Sequence, residues 1–356
     1  MNRIALPLVV CLAVAMLPAA GAHRAAVDDR PDDDPHRLAQ VITLVESGHR
    51  FLAKHQNKDG SFSVVRTRAA SSAPVAVTSL TALSFMAAGH SPERGRYAGL
   101  LRDALEWLVE HCDQRGEFRT DNDTVSKMHG QGYALLALTQ AYGMFEDVRT
   151  NDRAREAIER GVALVEASQG EIGGWWYDAK KESTHEGSIT VCMIQALRAA
   201  KDAGFAVDQG VIDRAVRYME RSQDPRTGRF RYAINDPKTT WALTAAALST
   251  LNALGDYGSE TLESGFNALK TADPFTGAGR PEPFMDYGAL YAAQAYWAHR
   301  DAREFRRWWP YFVKDCAKRQ DADGSFNDGN YGDVYATAIV TLTLQVPFGY
   351  LPLFQR

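Results

Sequence analysis

The chain has 356 residues, of which 45% are hydrophobic and 24% charged, and its formal net charge is −4. No basic block interrupts that balance, so neither nucleic acid nor an anionic membrane surface is an expected partner. The 4 cysteines are far apart and encode neither a disulfide framework nor a CxxC zinc site.

The first predicted element is a targeting segment. Arg3 precedes an uncharged apolar run from Ile4 to Leu17, and Ala20-Gly21-Ala22 follows as a cleavage site. The run is short for a membrane span, and Cys11 lies inside it rather than at the cleavage point, which argues against a lipid anchor. Residues 1–22 are therefore expected to be a signal peptide, with export to the periplasm or the medium after cleavage near Ala22. Residues 23–36 carry Asp28, Asp29, Asp32, Asp33 and Asp34 and read as a flexible acidic leader. No later stretch is apolar for long enough to cross a membrane. The sequence leaves the oligomeric state open.

Residues 37–356 read as one repeat domain. Gln56, Gly60 and Phe62 share a spacing with Gln169, Gly173 and Trp175, and with Gln320, Gly324 and Phe326. Gln223, Gly228 and Phe230 repeat it with one insertion, and Gln114, Gly116 and Phe118 form a shortened copy. A sixth copy near Phe275 to Phe284 has decayed into a Pro-rich loop. The glutamines 56, 114, 169 and 223 recur about every 55 residues, the signature of a repeated supersecondary unit.

Each unit holds two helices. The first is amphipathic, as over Arg37 to His55, Arg96 to His111, Asp152 to Ala167, Gly210 to Arg221 and Arg303 to Lys318. The second is nearly uncharged and rich in small residues: Val75 to Ala88, Gly130 to Tyr142, Ser188 to Ala200, Thr240 to Leu254, Tyr287 to Ala298 and Tyr335 to Gln345. A helix that is apolar all round is buried all round. Six outer helices alternating with six inner ones predict an all-α fold, an (α/α)6 toroid whose inner ring runs parallel to itself. The turn glycine is expected to end each outer helix, and the glutamine amide to bond backbone groups nearby.

These Gln-x3-Gly-x-aromatic turns resemble the repeats of the squalene–hopene cyclase and protein prenyltransferase β-subunit superfamily, over nearly all of the chain after the leader. The segments from His129 to Leu135 and from Tyr350 to Arg356 look like those of secreted bacterial members with no defined reaction. The resemblance implies catalytic signatures that are incomplete here. The cyclase motif Asp-x-Asp-Asp-Thr is matched only by Asp121-Asn122-Asp123-Thr124, which lacks one carboxylate and stands several residues before the inner helix. The prenyltransferase zinc set fails at Thr190, two residues before Cys192, and His299 stands at a helix end. The thioester sequence Gly-Cys-Gly-Glu-Gln of the complement-type toroids is absent.

The fold directs attention to the mouth where the inner helices start. His129, His185, Glu186, Asp286 and Asp333 gather there in sequence terms and are the candidate catalytic residues. Asp286 and Asp333 also stand where helix caps stand. Gln131, Trp241, Tyr287, Tyr291 and Tyr335, with Trp175, Trp176 and Tyr177, are candidates to line a cavity, or else pack the core. No cofactor is expected, and His129 with His185 is the only pair that would draw a metal to this mouth. Two functions remain open. One is a binding or scaffold protein for an elongated apolar or sugar-like ligand. The other is an enzyme, either a terpenoid-type lyase or isomerase or a carbohydrate-active hydrolase or lyase using Glu186 with Asp286 or Asp333.

Overall fold

The computed structural model describes residues 34–63, 72–255, 258–327 and 331–355, so the targeting segment and most of the leader lie outside the described residues. The outer helices are α1 (Pro35–Lys54), α3 (Ala98–Glu110), α5 (Val148–Ser168), α7 (Gln209–Ser222), α9 (Glu260–Thr271) and α11 (Arg303–Arg319). The inner helices are α2 (Pro74–Ala87), α4 (Lys127–Ala141), α6 (Gly187–Asp202), α8 (Trp241–Ala253), α10 (Met285–Ala298) and α12 (Gly332–Leu344). Helix α1 begins two residues inside the stretch read as leader, because the Asp34 side chain accepts from the backbone of His36 and Arg37 and caps it. The strands seen are β1 (Arg231–Ala233) and β2 (Asp236–Thr239), an antiparallel hairpin just before α8 that no sequence signal announced.

The alternation in hydropathy becomes two concentric layers. Helix α7 buries one stripe, with Val211, Ile212, Ala215, Tyr218 and Met219 facing inward. Inner helices α2 and α8 are buried on every side. Each inner helix packs on the next, and α12 packs back on α2, so the ring is closed. The seam is hydrogen-bonded: the Ser84 and Thr341 hydroxyls pair at 2.7 Å, and the Gln345 amide donates to the Ser84 carbonyl at 3.0 Å. Small residues permit the close approach. A side chain on Gly132 would meet the sulfur of Cys192 at 2.5 Å, and one on Gly288 would meet the backbone of Ala242 at 2.9 Å.

The repeated turn ties each unit in two directions. The turn aromatic's N–H is held by its own inner helix: Phe62 donates to the Thr78 hydroxyl at 2.9 Å, Phe230 to Thr244 at 3.1 Å and Phe326 to Thr337 at 2.9 Å. The glutamine amide reaches forward. Gln56, Gln169, Gln223 and Gln320 each donate to the carbonyl of their own turn glycine and to a carbonyl on the next outer helix, at Leu100, Val211, Thr261 and Leu44 respectively. The last of these joins α11 to α1 and closes the outer ring. The glycine is required twice over. Gly324 has φ +94°, and a side chain there would meet the Ser47 carbonyl of α1 at 2.3 Å.

The imperfect copies are repaired by other residues. In the shortened second turn, Gln131 takes the threonine's place, accepting from the Phe118 N–H at 2.9 Å and donating to the Gly116 carbonyl at 2.9 Å. In the decayed turn after α9, buried Asp273 accepts from the Phe275 and Thr276 N–H groups and from the Tyr296 hydroxyl. Burial pushes its carboxyl up to about 6.

Gly324→Val should lower stability by about 2–4 kcal/mol, as strained backbone and a clash with α1 combine. Gly204→Ala is the control: its φ is also positive, at +90°, but nothing lies within 4 Å of a side chain there. It should cost about 1 kcal/mol. Urea midpoints of the two variants check this, and equal losses would remove the role given to the inter-repeat contact.

Candidate functional site

The inner-helix starts are dominated by capping. Glu186 is the N-cap of α6: it is buried, and its carboxylate accepts from the Ile189 N–H at 2.8 Å and the Ser188 hydroxyl at 2.6 Å. Burial pushes its carboxyl above the ordinary range, opposed by those two donors. Glu282, on the Pro-rich loop, accepts from the Trp241 N–H at 2.7 Å at the start of α8 and holds Arg229 at 2.7 Å. Asp123 accepts from the Val75 N–H at the start of α2 and from the Thr120 N–H and hydroxyl. Asp286, in the first turn of α10, pairs with Arg319 at 2.8 Å. Asp333 is fully buried in the first turn of α12, where its carboxylate accepts from the Val334 N–H at 2.9 Å. Carboxylates at these positions answer the positive ends of the helix dipoles, each worth about 0.3–1 kcal/mol.

Helix α4 is the exception. It starts on Lys127 with no acidic residue in its first turn and no side-chain cap. Its N-cap, Ser126, is left-handed at φ 51°, and so is Phe284 before α10 at φ 65°. These strained residues introduce the two helices that supply His129 and Tyr287. α4 and α10 stand opposite each other in the inner ring, yet the His129 and Tyr287 rings are only 6.3 Å apart between centroids. The central hollow is bridged at this level. Below it, Tyr133 and Tyr291 are buried, and the Gln195 amide of α6 donates to Gln294 of α10 at 3.2 Å.

Above the bridge lies an aromatic basin. His129 packs against Tyr133 and Tyr177 at 6.2 and 6.4 Å, and Tyr287 against Tyr291 at 4.7 Å. Tyr331 and Tyr335 stack at 5.2 Å, and the Tyr177 and Tyr232 hydroxyls pair at 2.8 Å. His129, Tyr177, Tyr287 and Tyr335 are only partly buried. Burial pushes the His129 imidazole down to about 4, and the α4 dipole acts in the same direction, so the ring is neutral at pH 7. The hydroxyls of Tyr287 and Tyr291 are buried and make no hydrogen bond of good geometry among the described residues, although Tyr291 interacts with the hydroxyls of Tyr133 and Tyr287. Unsatisfied groups of this kind cost about 1–3 kcal/mol each. Burial raises the phenols of Tyr177 and Tyr287 and the Cys192 thiol, and nearby Glu186 adds to it.

The structure does not gather the predicted residues into one site. His129, Tyr287 and Tyr335 share the basin, and Tyr291 is buried beneath it. His185 turns outward, its ring hydrogen-bonded to the Tyr218 hydroxyl of α7 at 2.8 Å, so the two histidines do not share a site. Trp241 donates its indole N–H to the Leu269 carbonyl of α9 and Trp175 to Val165 of α5, so both rings fill the space between layers. Gln131 belongs to the turn described above. Asp286 faces α11. Among the described residues no group of three His, Cys, Asp or Glu side chains is placed to hold a metal ion. Tyr232 belongs to the basin and Tyr133 to the layer beneath it, and the sequence reading named neither. Tyr133 carried a signal, four residues after His129 on one helix face, whereas Tyr232 arrives on the unforeseen hairpin. The cyclase-like acidic segment dissolves, since Asp121 is exposed beside Arg119 and Asp123 is a cap.

No protein-family profile matches the chain. One curated relative, the drimenyl diphosphate synthase of Streptomyces showdoensis, is 28% identical over 202 residues, which is 56% of this chain and 33% of the relative. The chain thus spans about a third of that protein's length. Among solved structures, a type II terpene cyclase from Scytonema in complex with geranylgeranyl dihydroxybenzoate superposes with a TM-score of 0.59 at 15% identity, covering 89% of this chain and 99% of that one. A glycosidase in complex with glucose gives 0.63 at 15% identity, over 90% and 100% of the two chains. A GH76 α-mannanase of Bacteroides thetaiotaomicron gives 0.58 at 11%, over 87% and 96%. The chain is an α/α toroid. The likeness to cyclase-type repeats read from its turns agrees with these neighbours, and at such identities the solved structures speak for the fold alone. No described helix is long and apolar enough to cross a membrane.

Neutral buried imidazoles make stability pH-dependent. The folded values of His129 and His49 are depressed from 6.5 to about 4 and about 3, so their contribution is complete above 6.5 and is lost as pH falls through those values. Asp273 acts oppositely, its contribution being complete below 3.8 and lost as pH rises through about 6. His129→Phe should therefore flatten the loss of stability between pH 6.5 and 4. Urea midpoints across that range test it, and an unchanged slope would mean that the imidazole is not held neutral.

Proposed function

We propose that the protein is exported and binds an elongated apolar ligand of the isoprenoid class in the aromatic basin, gripping a hydroxyl or carbonyl end of it with His129 and Tyr287. The observation that carries this reading is the neutral imidazole beside buried tyrosine hydroxyls whose only neighbours for hydrogen bonding are one another, among aromatic rings. A neutral imidazole offers one donor and one acceptor, and each phenol offers both, which suits a single uncharged oxygen on an apolar chain. The partial similarity to a drimenyl diphosphate synthase supports the ligand class. A carbohydrate hydrolase using Glu186 with Asp286 or Asp333 has less support, because Glu186 holds two donors and Asp286 is paired with Arg319. A cyclase acid has less support still, since Asp123 is engaged as a cap.

The test is titration of the purified protein with geranylgeraniol, followed by intrinsic fluorescence, with native mass spectrometry for retained lipid. Binding is expected. Tyr287→Phe and His129→Ala should each weaken it by about three- to tenfold, the value of one hydrogen bond, with no loss of melting temperature in Tyr287→Phe. No binding by the wild type, or equal binding by all three proteins, rejects the reading.

A further inference from the structure

A cavity of about 890 Å3 opens at the mouth of the ring opposite the basin, among the C-terminal ends of α4, α6, α8 and α10. Small-molecule sites have volumes of about 300–1,000 Å3, so this one is large enough for a ligand of several rings. The chain segment 352–355 forms part of its wall. That segment is held in place, since the Trp297 indole donates to the Phe354 carbonyl at 3.0 Å and the Leu353 N–H donates to the Gln140 amide oxygen at 3.3 Å.

One buried carboxamide from each of the four helices lines the cavity: Gln140, Gln195, Asn252 and Gln294, all more than nine-tenths buried. A buried amide costs free energy unless both of its halves are paired. Gln294 meets that condition. Its oxygen accepts from the Gln195 amide at 3.2 Å and the Ser249 hydroxyl at 3.3 Å, and its nitrogen donates to the Leu290 carbonyl at 3.3 Å. The other three are half engaged among the described residues. Gln195 donates to Gln294, and Asn252 donates to the Ala295 carbonyl at 3.4 Å, while the amide oxygen of each accepts nothing. Gln140 accepts from Leu353, while its nitrogen donates to nothing. None of these three atoms is sealed from solvent, so each opens on the cavity.

The ligand's chemistry follows from what is left over, which is two neutral acceptors and one neutral donor. A carboxylate or a sulfate only accepts and has nothing to offer Gln195 and Asn252. An ammonium only donates and has nothing to offer Gln140. A hydroxyl does both and serves either half of an amide. The charges around the cavity are already matched, Arg198 with Asp202 at 3.3 Å, Arg303 with Asp301 at 2.7 Å and Arg300 with Glu263 at 2.7 Å. They call for no charged ligand. Trp297, half-buried in the wall, adds a flat apolar surface of the kind that packs on the C–H face of a sugar ring.

We propose that this cavity is a second binding site, for a neutral oligosaccharide whose hydroxyls complete the amides of Gln140, Gln195 and Asn252. The site lies across the His129–Tyr287 contact from the aromatic basin and does not depend on what the basin binds.

Isothermal titration of the full chain with maltotetraose, cellotetraose and mannotetraose tests this, with tetragalacturonate and tetraglycine as the charged and the peptide controls. At least one neutral tetrasaccharide should bind saturably, and both controls about tenfold more weakly or worse. Gln140→Met and Gln195→Met should each lower the affinity for that sugar by about tenfold, the value of one hydrogen bond. Gln140 also holds the wall at Leu353, so its direct part is read in the wild type: its side-chain amide signal in the NMR spectrum should shift as the sugar is added. That measurement carries the test if either variant fails to fold. Absent binding of all three sugars, equal or tighter binding of either control, unchanged affinity in the folded variants, or an unmoved Gln140 amide signal in the presence of bound sugar would each overturn the proposal.

Discussion

The carbonyl of one outer helix occupies the space where a side chain on the preceding unit's turn glycine would stand. That contact orders the molecule. Gly173 lies against the Arg214 carbonyl of α7 at 2.3 Å from a notional side chain, and Gly324 against Ser47 of α1 at the same distance. At four of the turns the glutamine amide then bridges the glycine carbonyl and the next outer helix, as Gln320 does to Leu44. Each unit is therefore seated on its successor by backbone atoms. Such contacts leave little freedom in the angle between units, and a fixed angle repeated six times closes a ring. Because α11 seats on α1 by the same contact, no unit is left as a bare end.

Closure has an electrostatic consequence. Strict alternation turns every inner helix the same way, so their positive ends share one mouth. Most of those ends have recruited a carboxylate, from their own first turn or from a loop, and this explains why a group of acids looks like catalytic machinery when read by residue type. Their partners are backbone N–H groups and arginines. Helix α4 is left without an acid, and its His129 stays neutral. The mouth thus becomes a place of imidazole and phenol rather than of carboxylate pairs.

The same closeness of the inner helices divides the hollow. Glycine and alanine bring backbones together, and the few large side chains that remain on the axis meet across it. His129 reaches Tyr287, and Gln195 reaches Gln294. On one side of these contacts lie the aromatic rings around His129, and on the other a cavity lined by amides, arginines and aspartates.

The two layers, their order along the chain and the seat of the turns were legible in the sequence, because hydrophobic period and turn chemistry are local properties. A helix such as α8 is uncharged over its whole length and must be buried wherever it goes. Glycine at the turn and an aromatic two residues on announce the same bend each time. The partner of a side chain is not local. Glu186, Asp286 and His129 look alike as candidates until the packing shows that the first is a cap, the second belongs to an arginine thirty-three residues away, and the third packs among tyrosine rings. Gln131 reads as a cavity residue because it starts an inner helix, yet it stands in for a threonine that the shortened second repeat lacks. Glu282 sits in a loop with no periodicity and so left no trace, although it caps α8. The chamber at the far mouth was invisible for the same reason. Its walls come from the ends of four helices and the chain's last described residues, which only the closed ring brings together.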